Sequence, residues 1–390
     1  MECATYLAFG MPVAMLGAGW PEARHTFDRP SSALGLVAAV YGFGRLATSA
    51  TALPLLKRWT IRASTTGLLV ALAFVDLLVG LGQWFPLLVA AFVVVGMVSG
   101  ALDSLGNRYQ TVVRLVRNAG LMFGAYGIGA TIGPALVATT TWTTGYVAAA
   151  VVALGAAALS GSRSVAWPDE IESPASSATK GADALATMPF VEPGGTPVAG
   201  PAPRVAIPRG PLVLSLLCFL VYCALEVTTG NWTTSYLEEH RGASSQLAGL
   251  AVSGFWGGVT LGRLVMGRIP AHPHRLLTAG AVTVAVAYAT VPFLPTAGAM
   301  AAIVVAGAAL AVMLPTLVVT TAERVGVAAT GRVAGWQILA ANVGGTVFSG
   351  GMGFLVARTN DGAPIWVLIT LAIVGLPVLN RALAAHPPSA

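Results

Sequence analysis

The chain has 390 residues, of which 56% are hydrophobic and only 9% are charged, and its mean hydropathy is +0.77. Soluble domains carry about 25% charged residues, so this composition excludes a water-soluble protein. The net charge of +6 would suit a nucleic-acid-binding protein, but the positions of the basic residues, given below, exclude that class too.

Apolar stretches of about 20 residues follow one another along the chain, and each is long enough to cross a bilayer as a helix. Residues 163–210, in contrast, are rich in Pro, Gly, Ala and Ser and hold five of the fifteen acids. We therefore predict an all-α integral membrane protein with twelve transmembrane helices in two pseudo-symmetric six-helix bundles, 1–162 and 211–390, joined by a flexible cytoplasmic linker, 163–210. The predicted spans are 4–22, 32–56, 64–83, 86–108, 117–139, 143–161, 211–235, 244–266, 275–294, 297–320, 331–356 and 364–383.

The basic residues lie mostly on one side of the predicted membrane. With the N-terminus in the cytoplasm, 16 of the 21 Lys and Arg residues fall in cytoplasmic segments and 4 in outer segments, and Arg45 falls inside a span. Positive charge favours the cytoplasmic side. We therefore predict a multi-pass protein of the plasma (inner) membrane with both termini in the cytoplasm and no nucleic-acid partner.

The two halves also share short sequence features. Residues Tyr41–Gly44 ("YGFG") in span two match Phe255–Gly258 ("FWGG") in span eight, 214 positions later, and Gly129 in span five matches Gly345 in span eleven. Two related six-helix units around a central site are typical of secondary transporters.

Of the acids inside predicted spans, where a charge is costly and marks a solute or proton path, Asp103 and Glu226 are the functional candidates. Asp103 lies in span four with Asn107 one helical turn later on the same face. Glu226 lies in the middle of span seven and is followed by Asn231 and Trp232, whose amide and aromatic ring suit sugar hydroxyls and C–H faces. The alternatives are that Asp103 pairs with a loop arginine and that Glu226 is tied structurally to a neighbouring helix.

Several stretches together resemble the major facilitator superfamily, and within it the fucose-permease-like sugar transporter branch. They are "GMPVAMLGAGWPEAR", "ALDSLGNRY", "YGIGATIGP", "ALEVTTGNWTTSYLEEHRG" and "GGVTLGRLVMGR". The resemblance implies that Asp103 and Asn107 line a cavity and that Asp103 takes part in proton coupling. The branch often carries a second acid in span one, but here the segment before Trp20 has none. We also expect Trp20 to contact the solute.

Arg45 lies near the centre of span two, where the branch usually has an aromatic or apolar residue. A guanidinium cannot give up its proton, so at that depth it needs an anion or water. It pairs with Asp103, or it binds an anionic substrate such as a sugar acid, or it is a structural arginine that reaches the membrane surface. In span eleven, Gln337 and Asn342 are candidate substrate contacts, with hydrogen bonding between helices as the competing interpretation.

Four charged residues near the ends of spans eight and ten are predicted to form salt bridges between helices on the cytoplasmic side. Such bridges, present in one conformation and broken in the other, would bias an alternating-access equilibrium. The four residues are Arg263, Arg268, Glu323 and Arg324.

The sequence therefore predicts a secondary active transporter that moves a small polar solute, a sugar or a sugar-like or anionic sugar compound, by alternating access, with or without proton coupling. The alternative is a proton-antiporting exporter of drugs or metabolites. We expect a monomer in the lipid bilayer, without metal or cofactor. All five histidines (His25, His240, His272, His274 and His386) fall in loops or the tail, so no enzyme site is expected within the membrane.

Overall fold

The computed structural model describes residues 2–56, 59–113, 116–162, 167, 209–266, 272–326 and 329–384. Within these ranges the side chains of residues 50, 52–56, 107–113, 116–120 and 266 are not described. Most of the predicted linker therefore lies outside the described residues. Its Trp167 is described: the ring is buried and its Nε1 donates a hydrogen bond to the carbonyl of Ser160 at 3.3 Å, so this residue returns to the preceding helix.

The described chain is almost entirely helical, and each predicted span corresponds to one long helix. A π-helical turn, Tyr236–His240, extends the seventh helix, and a short helix, Thr321–Val325, precedes the eleventh. The long helices are α1 (Glu2–Thr26), α2 (Leu34–Leu56), α3 (Ile61–Leu81), α4 (Phe85–Val113), α5 (Val116–Thr139), α6 (Trp142–Gly161), α7 (Arg209–Ser235), α8 (Ser245–Met266), α9 (Pro273–Thr290), α10 (Thr296–Val319), α11 (Thr330–Arg358) and α12 (Ala363–Ala384).

Ten of the long helices contain a stretch that is long and apolar enough to cross a bilayer. The other two, α2 and α8, hold equivalent places in the two halves. Each carries one arginine among several glycines, Arg45 in α2 and Arg263 in α8. Both nevertheless pack along spanning helices, α2 on α4 and α8 on α10.

The helix pairings of the first half recur in the second. Helix α1 packs on α5, α2 on α4 and α3 on α6, and correspondingly α7 packs on α11, α8 on α10 and α9 on α12. A side chain at Gly96 in α4 would collide with the carbonyl oxygen of Tyr41, and one at Gly307 in α10 would collide with that of Phe255. The match between Tyr41 and Phe255 read from the sequence is therefore a match in space.

The second sequence match is shifted by one residue. A side chain at Gly129 in α5 would collide with the carbonyl oxygen of Leu7 in α1, and the same collision with Leu220 in α7 occurs at Gly344. At Gly345 the neighbour is instead the side chain of Val227, at 3.0 Å. Gly344, rather than the predicted Gly345, is thus the structural equivalent of Gly129.

The halves are joined mainly at the face away from the chain termini, which we call the distal face. The terminal face is the one at which α1 begins and α12 ends. At the distal face Arg24 forms an ion pair with Glu239, and the Ser31 hydroxyl donates to Asp361 Oδ1 at 2.5 Å. The backbones of α2 and α11 also meet there at Gly35, whose Cβ position would lie 2.5 Å from the Gly350 oxygen.

Toward the terminal face, one side of α11 has no neighbour among the described residues, while Gln337 on its other side is buried against α7. An added Cβ at Gly331 or Gly335 would meet no atom within 4 Å, and Trp336 and Leu339 are 43% and 52% exposed. The contacts of α11 with α2 include Thr346, Gly350 and Gly353, which lie in the distal half of α11. The two bundles are therefore closed at the distal face and separate along α11 toward the terminal face.

Candidate functional site

The first half places a charged pair between α2 and α4. Arg45 Nη2 donates to Asp103 Oδ2, and Arg45 Nη1 donates to the Tyr41 hydroxyl at 3.3 Å. The two charged side chains are 26% and 23% exposed. Of the partners considered for Arg45, the structure shows Asp103.

The second half places a tighter group between α7 and α8. Arg263 Nη2 donates to Glu226 Oε1 at 2.7 Å and to the Tyr222 hydroxyl at 2.9 Å. The Tyr222 hydroxyl in turn donates to the same carboxylate oxygen at 2.7 Å. The two charged side chains are only 14% and 11% exposed. Arg263 thus forms a salt bridge between helices, as predicted, but within the membrane domain, beside a buried carboxylate that requires a counter-charge. Its role as a gate stays a prediction.

Tyr126 of α5 lies between the two ion pairs. Its hydroxyl is within electrostatic range of Arg45, Asp103, Glu226 and Arg263. Its ring contacts the edge of the Trp256 ring of α8 across the interface of the halves, with centroids 6.5 Å apart. Two arginines, two acids and an aromatic pair therefore gather where the two bundles face each other.

The three tyrosines of this site were missed in the sequence. Tyr41 precedes Arg45 by four residues, and Tyr222 precedes Glu226 by four. Residues four apart share a helical face, so this spacing in both halves is the signal that could have identified Tyr41 and Tyr222. No comparable spacing marks Tyr126, whose place depends on how α5 packs against the second half.

Three predicted substrate contacts lie instead in the closed distal region. Trp20 is 1% exposed, and its indole Nε1 donates to the Ser31 carbonyl at 2.9 Å. Asn231 Nδ2 donates to the Ser349 hydroxyl at 2.8 Å, and Trp232 Nε1 donates to the Ser349 carbonyl at 2.9 Å. A buried indole or amide needs a protein acceptor, and here those acceptors hold loops and helices together.

The two predicted substrate contacts of span eleven differ in burial and in hydrogen bonding. Gln337 is 2% exposed and its amide donates to Ser215 at 2.8 Å and to Thr321 at 3.1 Å, so it links helices rather than lining a cleft. Asn342 is partly exposed, and its amide has no hydrogen-bond partner among the described residues. Asn342 therefore stays a candidate. The side chain of Asn107 lies outside the described residues.

Of the two predicted gate residues after span ten, Glu323 pairs with a residue of another helix, whereas Arg324 has only neutral acceptors among the described residues. Glu323 accepts from His274 of α9 at 2.7 Å on the surface of the second half. Arg324 is 2% exposed and donates to neutral oxygens of Ser215, Thr320, Thr321 and Leu317. Burial lowers the pKa of Arg324, and its hydrogen bonds fix the short helix to α7 and α10. Arg268 lies outside the described residues.

The arrangement of the site suits reversible charge exchange. The four groups Arg45, Asp103, Arg263 and Glu226 have a net charge of zero when all are ionised. Protonation of either carboxylate would weaken its ion pair and leave a guanidinium available to another acceptor. A group of this kind can bind a polar solute in one charge state and release it in the other.

Comparison with known proteins agrees with this architecture. The family model described as Major Facilitator Superfamily matches residues 3–349 and, in a second match, residues 214–388. A crystal structure of a D-xylose-proton symporter superposes with a TM-score of 0.72 at 15% sequence identity, over 99% of this chain and 96% of that one. A structure of the nucleoside transporter NupG, in a mutant form, superposes with a TM-score of 0.74 at 12% identity, over 98% of each chain. No curated protein matches the sequence.

Proposed function

The chain belongs to the major facilitator superfamily of membrane transporters, and we propose that it is a proton-coupled carrier of a small polar solute of sugar size that works by alternating access. The observation that supports this is the pair of half-buried carboxylate–arginine clusters, one in each half, on either side of Tyr126. Ionisable groups at membrane depth mark solute and proton paths. Asp103 and Glu226 are the proposed proton-binding groups.

The polar chemistry of the cleft supports the solute class. Guanidinium donors, carboxylate acceptors and tyrosine hydroxyls can replace the hydration shell of a hydroxyl-rich molecule. The aromatic faces of Tyr126 and Trp256 offer an apolar surface for the C–H side of a ring. The name of one structural neighbour, a D-xylose-proton symporter, agrees with this class.

The excess of basic residues near the terminal face supports a cytoplasmic location for both termini in a plasma membrane. In that orientation the closed distal face is the outer one. We propose that this conformation is open toward the cytoplasm, in the state that releases an imported solute.

The proposal is tested by solute accumulation in proteoliposomes. The full chain is reconstituted, a panel of pentoses, hexoses and sugar acids is offered as labelled solutes, and an inward proton gradient is imposed. We expect gradient-driven accumulation of a member of the panel to fall by roughly tenfold or more in Asp103→Asn and Glu226→Gln, because proton binding and release no longer accompany the conformational change.

Glu323→Gln is the matched control, because this acid is exposed on the surface of the second half. Its accumulation should equal that of the unmodified protein. Unchanged accumulation in both Asp103→Asn and Glu226→Gln would contradict the coupling roles. Accumulation driven only by a proton gradient of the opposite direction would identify the exporter.

A further inference from the structure

The ion pair of the first half leaves part of its arginine unused. Arg45 contacts Asp103 through one nitrogen and one oxygen, and Arg45 Nε, like Arg263 Nε in the second half, is buried without a hydrogen-bond partner among the described residues. A guanidinium can hold a carboxylate through two parallel bonds. A buried donor without an acceptor destabilises the folded protein. The observed pair is therefore incomplete, and a second acceptor on Arg45 would stabilise the site.

Asp103 is also held less firmly than Glu226. Glu226 Oε1 accepts from both Arg263 and Tyr222, whereas Asp103 accepts only from Arg45 among the described residues. The Asp103 side chain is about twice as exposed as that of Glu226, 23% against 11%. Asp103 is the carboxylate that can leave its arginine at the smaller cost.

We infer that Arg45 and Asp103 form a proton-operated site for the carboxylate group of a monoanionic solute of sugar size. This inference rests on the proposed function and specifies its substrate class. When a proton binds to a carboxylate oxygen of Asp103, the resulting neutral acid no longer competes for Arg45. The carboxylate of the solute then accepts from Arg45 Nη2 and Nε, and one proton and one monoanion cross together.

Charge balance favours a monoanion over a dianion or a neutral sugar. Arg45, Arg263, Asp103 and Glu226 sum to zero, one bound proton adds a positive charge, and one monoanion restores zero. A dianion would leave an uncompensated negative charge at membrane depth, and a neutral sugar would leave Arg45 without an anion. The loaded carrier is electrically neutral only with a monoanion.

The charged and titratable groups around Asp103 come from both halves, so the test includes the neighbouring acid as a control. Glu2 of α1 lies near Tyr6, which in turn lies near Asp103. The groups are Glu2 and Tyr6 of α1, Tyr41 and Arg45 of α2, Tyr126 of α5 and, on the far side of Tyr126, Glu226 and Arg263.

The test compares neutral sugars with their C6 acids, such as glucose with glucuronate and galactose with galacturonate. In proteoliposomes with an inward proton gradient, an acid should accumulate at least roughly tenfold more than its neutral partner. An imposed potassium diffusion potential should leave this accumulation unchanged, because the loaded carrier bears no net charge. Accumulation of the neutral members alone would overturn this inference and leave the proposed function standing.

Equilibrium binding of the labelled acid gives a second readout. Binding to the unmodified protein should tighten as the pH falls through the mildly acidic range. In Asp103→Asn it should be tight at every pH, because Arg45 is permanently free, and in Arg45→Lys it should weaken roughly tenfold, because an ammonium cannot make two parallel bonds. Glu2→Gln should keep the pH dependence of the unmodified protein, and Arg358→Gln, at the far end of α11, should keep its affinity.

Absence of acid binding to both the unmodified protein and Asp103→Asn would overturn the inference whether or not neutral sugars are carried. A pH dependence retained in Asp103→Asn would also overturn it, because the proton would then act elsewhere. If no solute of either kind accumulates under a proton gradient, the proposed function fails as well.

Discussion

Each half of the molecule holds an arginine within the membrane domain, and the two arginines differ in their hydrogen-bond partners. In the second half, Arg263, Glu226 and Tyr222 form a closed triangle of hydrogen bonds between 2.7 and 2.9 Å. In the first half, Asp103 accepts a hydrogen bond only from Arg45 among the described residues, and the nearby Tyr41 contacts the arginine instead of the acid. Glu226 must break two hydrogen bonds to leave its partners and Asp103 only one, so we expect the open pair of the first half to separate more readily than the closed triangle.

The difference has a local cause. Tyr222 and Glu226 lie four apart on one helix, so the hydroxyl reaches the carboxylate directly. Tyr41 has the same spacing to Arg45 rather than to the acid, so its hydroxyl accepts from the guanidinium and offers nothing to Asp103. The same tyrosine spacing thus completes the pair in one half and leaves it open in the other.

The largest expected effect is the loss of stability when an arginine is removed from its pair. Arg263→Gln leaves Glu226 buried without its counter-charge, which costs about 3–5 kcal/mol in pairs of this kind. Arg45→Gln should cost clearly less, since Asp103 is more exposed and water can reach it. Thermal unfolding of both variants in the same detergent measures the difference. Equal losses would show that the two pairs are equivalent.

The tyrosines give the next effect. Tyr222→Phe removes one of the two donors to Glu226, and a hydrogen bond to a charged group contributes about 1.5–3 kcal/mol. Tyr41→Phe removes only a 3.3 Å bond to Arg45 and should have a smaller effect on unfolding. Transport kinetics separate the two roles further. In Tyr222→Phe, Glu226 keeps Arg263 as its only donor, so we expect the second pair to separate about as readily as the first.

Much of the fold could be predicted from the sequence. The bilayer fixes the length of an apolar helix, and the relation between the two halves fixes how the helices are arranged. Asp103 and Glu226 could be identified for the same reason: an acid inside an apolar run stands out. The pairing of Asp103 with Arg45 was one of the alternatives considered for Arg45, whereas the partner of Glu226 was not identified. Arg263 lies near the end of a predicted span, and whether it turns inward depends on the packing of α7 against α8.

Residue type alone also failed to separate binding from packing. Trp20, Trp232 and Gln337 have side chains that suit a sugar and suit a helix contact equally well. Only the observed acceptors, Ser31, Ser349 and Ser215, show that these three residues hold the protein together. The Gly129 match shifted by one residue because adjacent glycines in α11 give the sequence two equal choices.

The interface glycines test whether the halves also differ where they meet. Gly35 of α2 and Gly249 of α8 lie 214 positions apart and face the opposite half. A Cβ at Gly35 would lie 2.5 Å from the Gly350 backbone oxygen, whereas at Gly249 it would meet the Cβ of Ala138 at 2.7 Å. Gly35→Ala should therefore disfavour the closed distal face by about 1–3 kcal/mol. Gly249→Ala should disfavour it by less, because the added Cβ would meet one atom closer than 3.0 Å there and three at Gly35.

Hydrogen exchange at the distal ends of α1 and α11 reports on this closure. Exchange there should accelerate in Gly35→Ala and change less in Gly249→Ala, with the terminal-side residues of both variants unaltered. A matched control is Gly331→Ala, where an added Cβ meets nothing within 4 Å. Faster exchange in Gly249→Ala than in Gly35→Ala would reverse the assignment of the tighter contact.

The smallest effect is expected at the surface ion pair of the second half, which calibrates the others. Glu323 and His274 approach to 2.7 Å, but their side chains are 55% and 34% exposed, and exposed pairs contribute about 0–1 kcal/mol. Glu323→Gln should thus leave thermal unfolding nearly unchanged at any salt concentration, although its bond is as short as that between Arg263 and Glu226. A loss of stability as large as that of Arg263→Gln would mean that distance, rather than burial, sets the strength of these pairs. The contrast between the open and closed clusters would then need another cause.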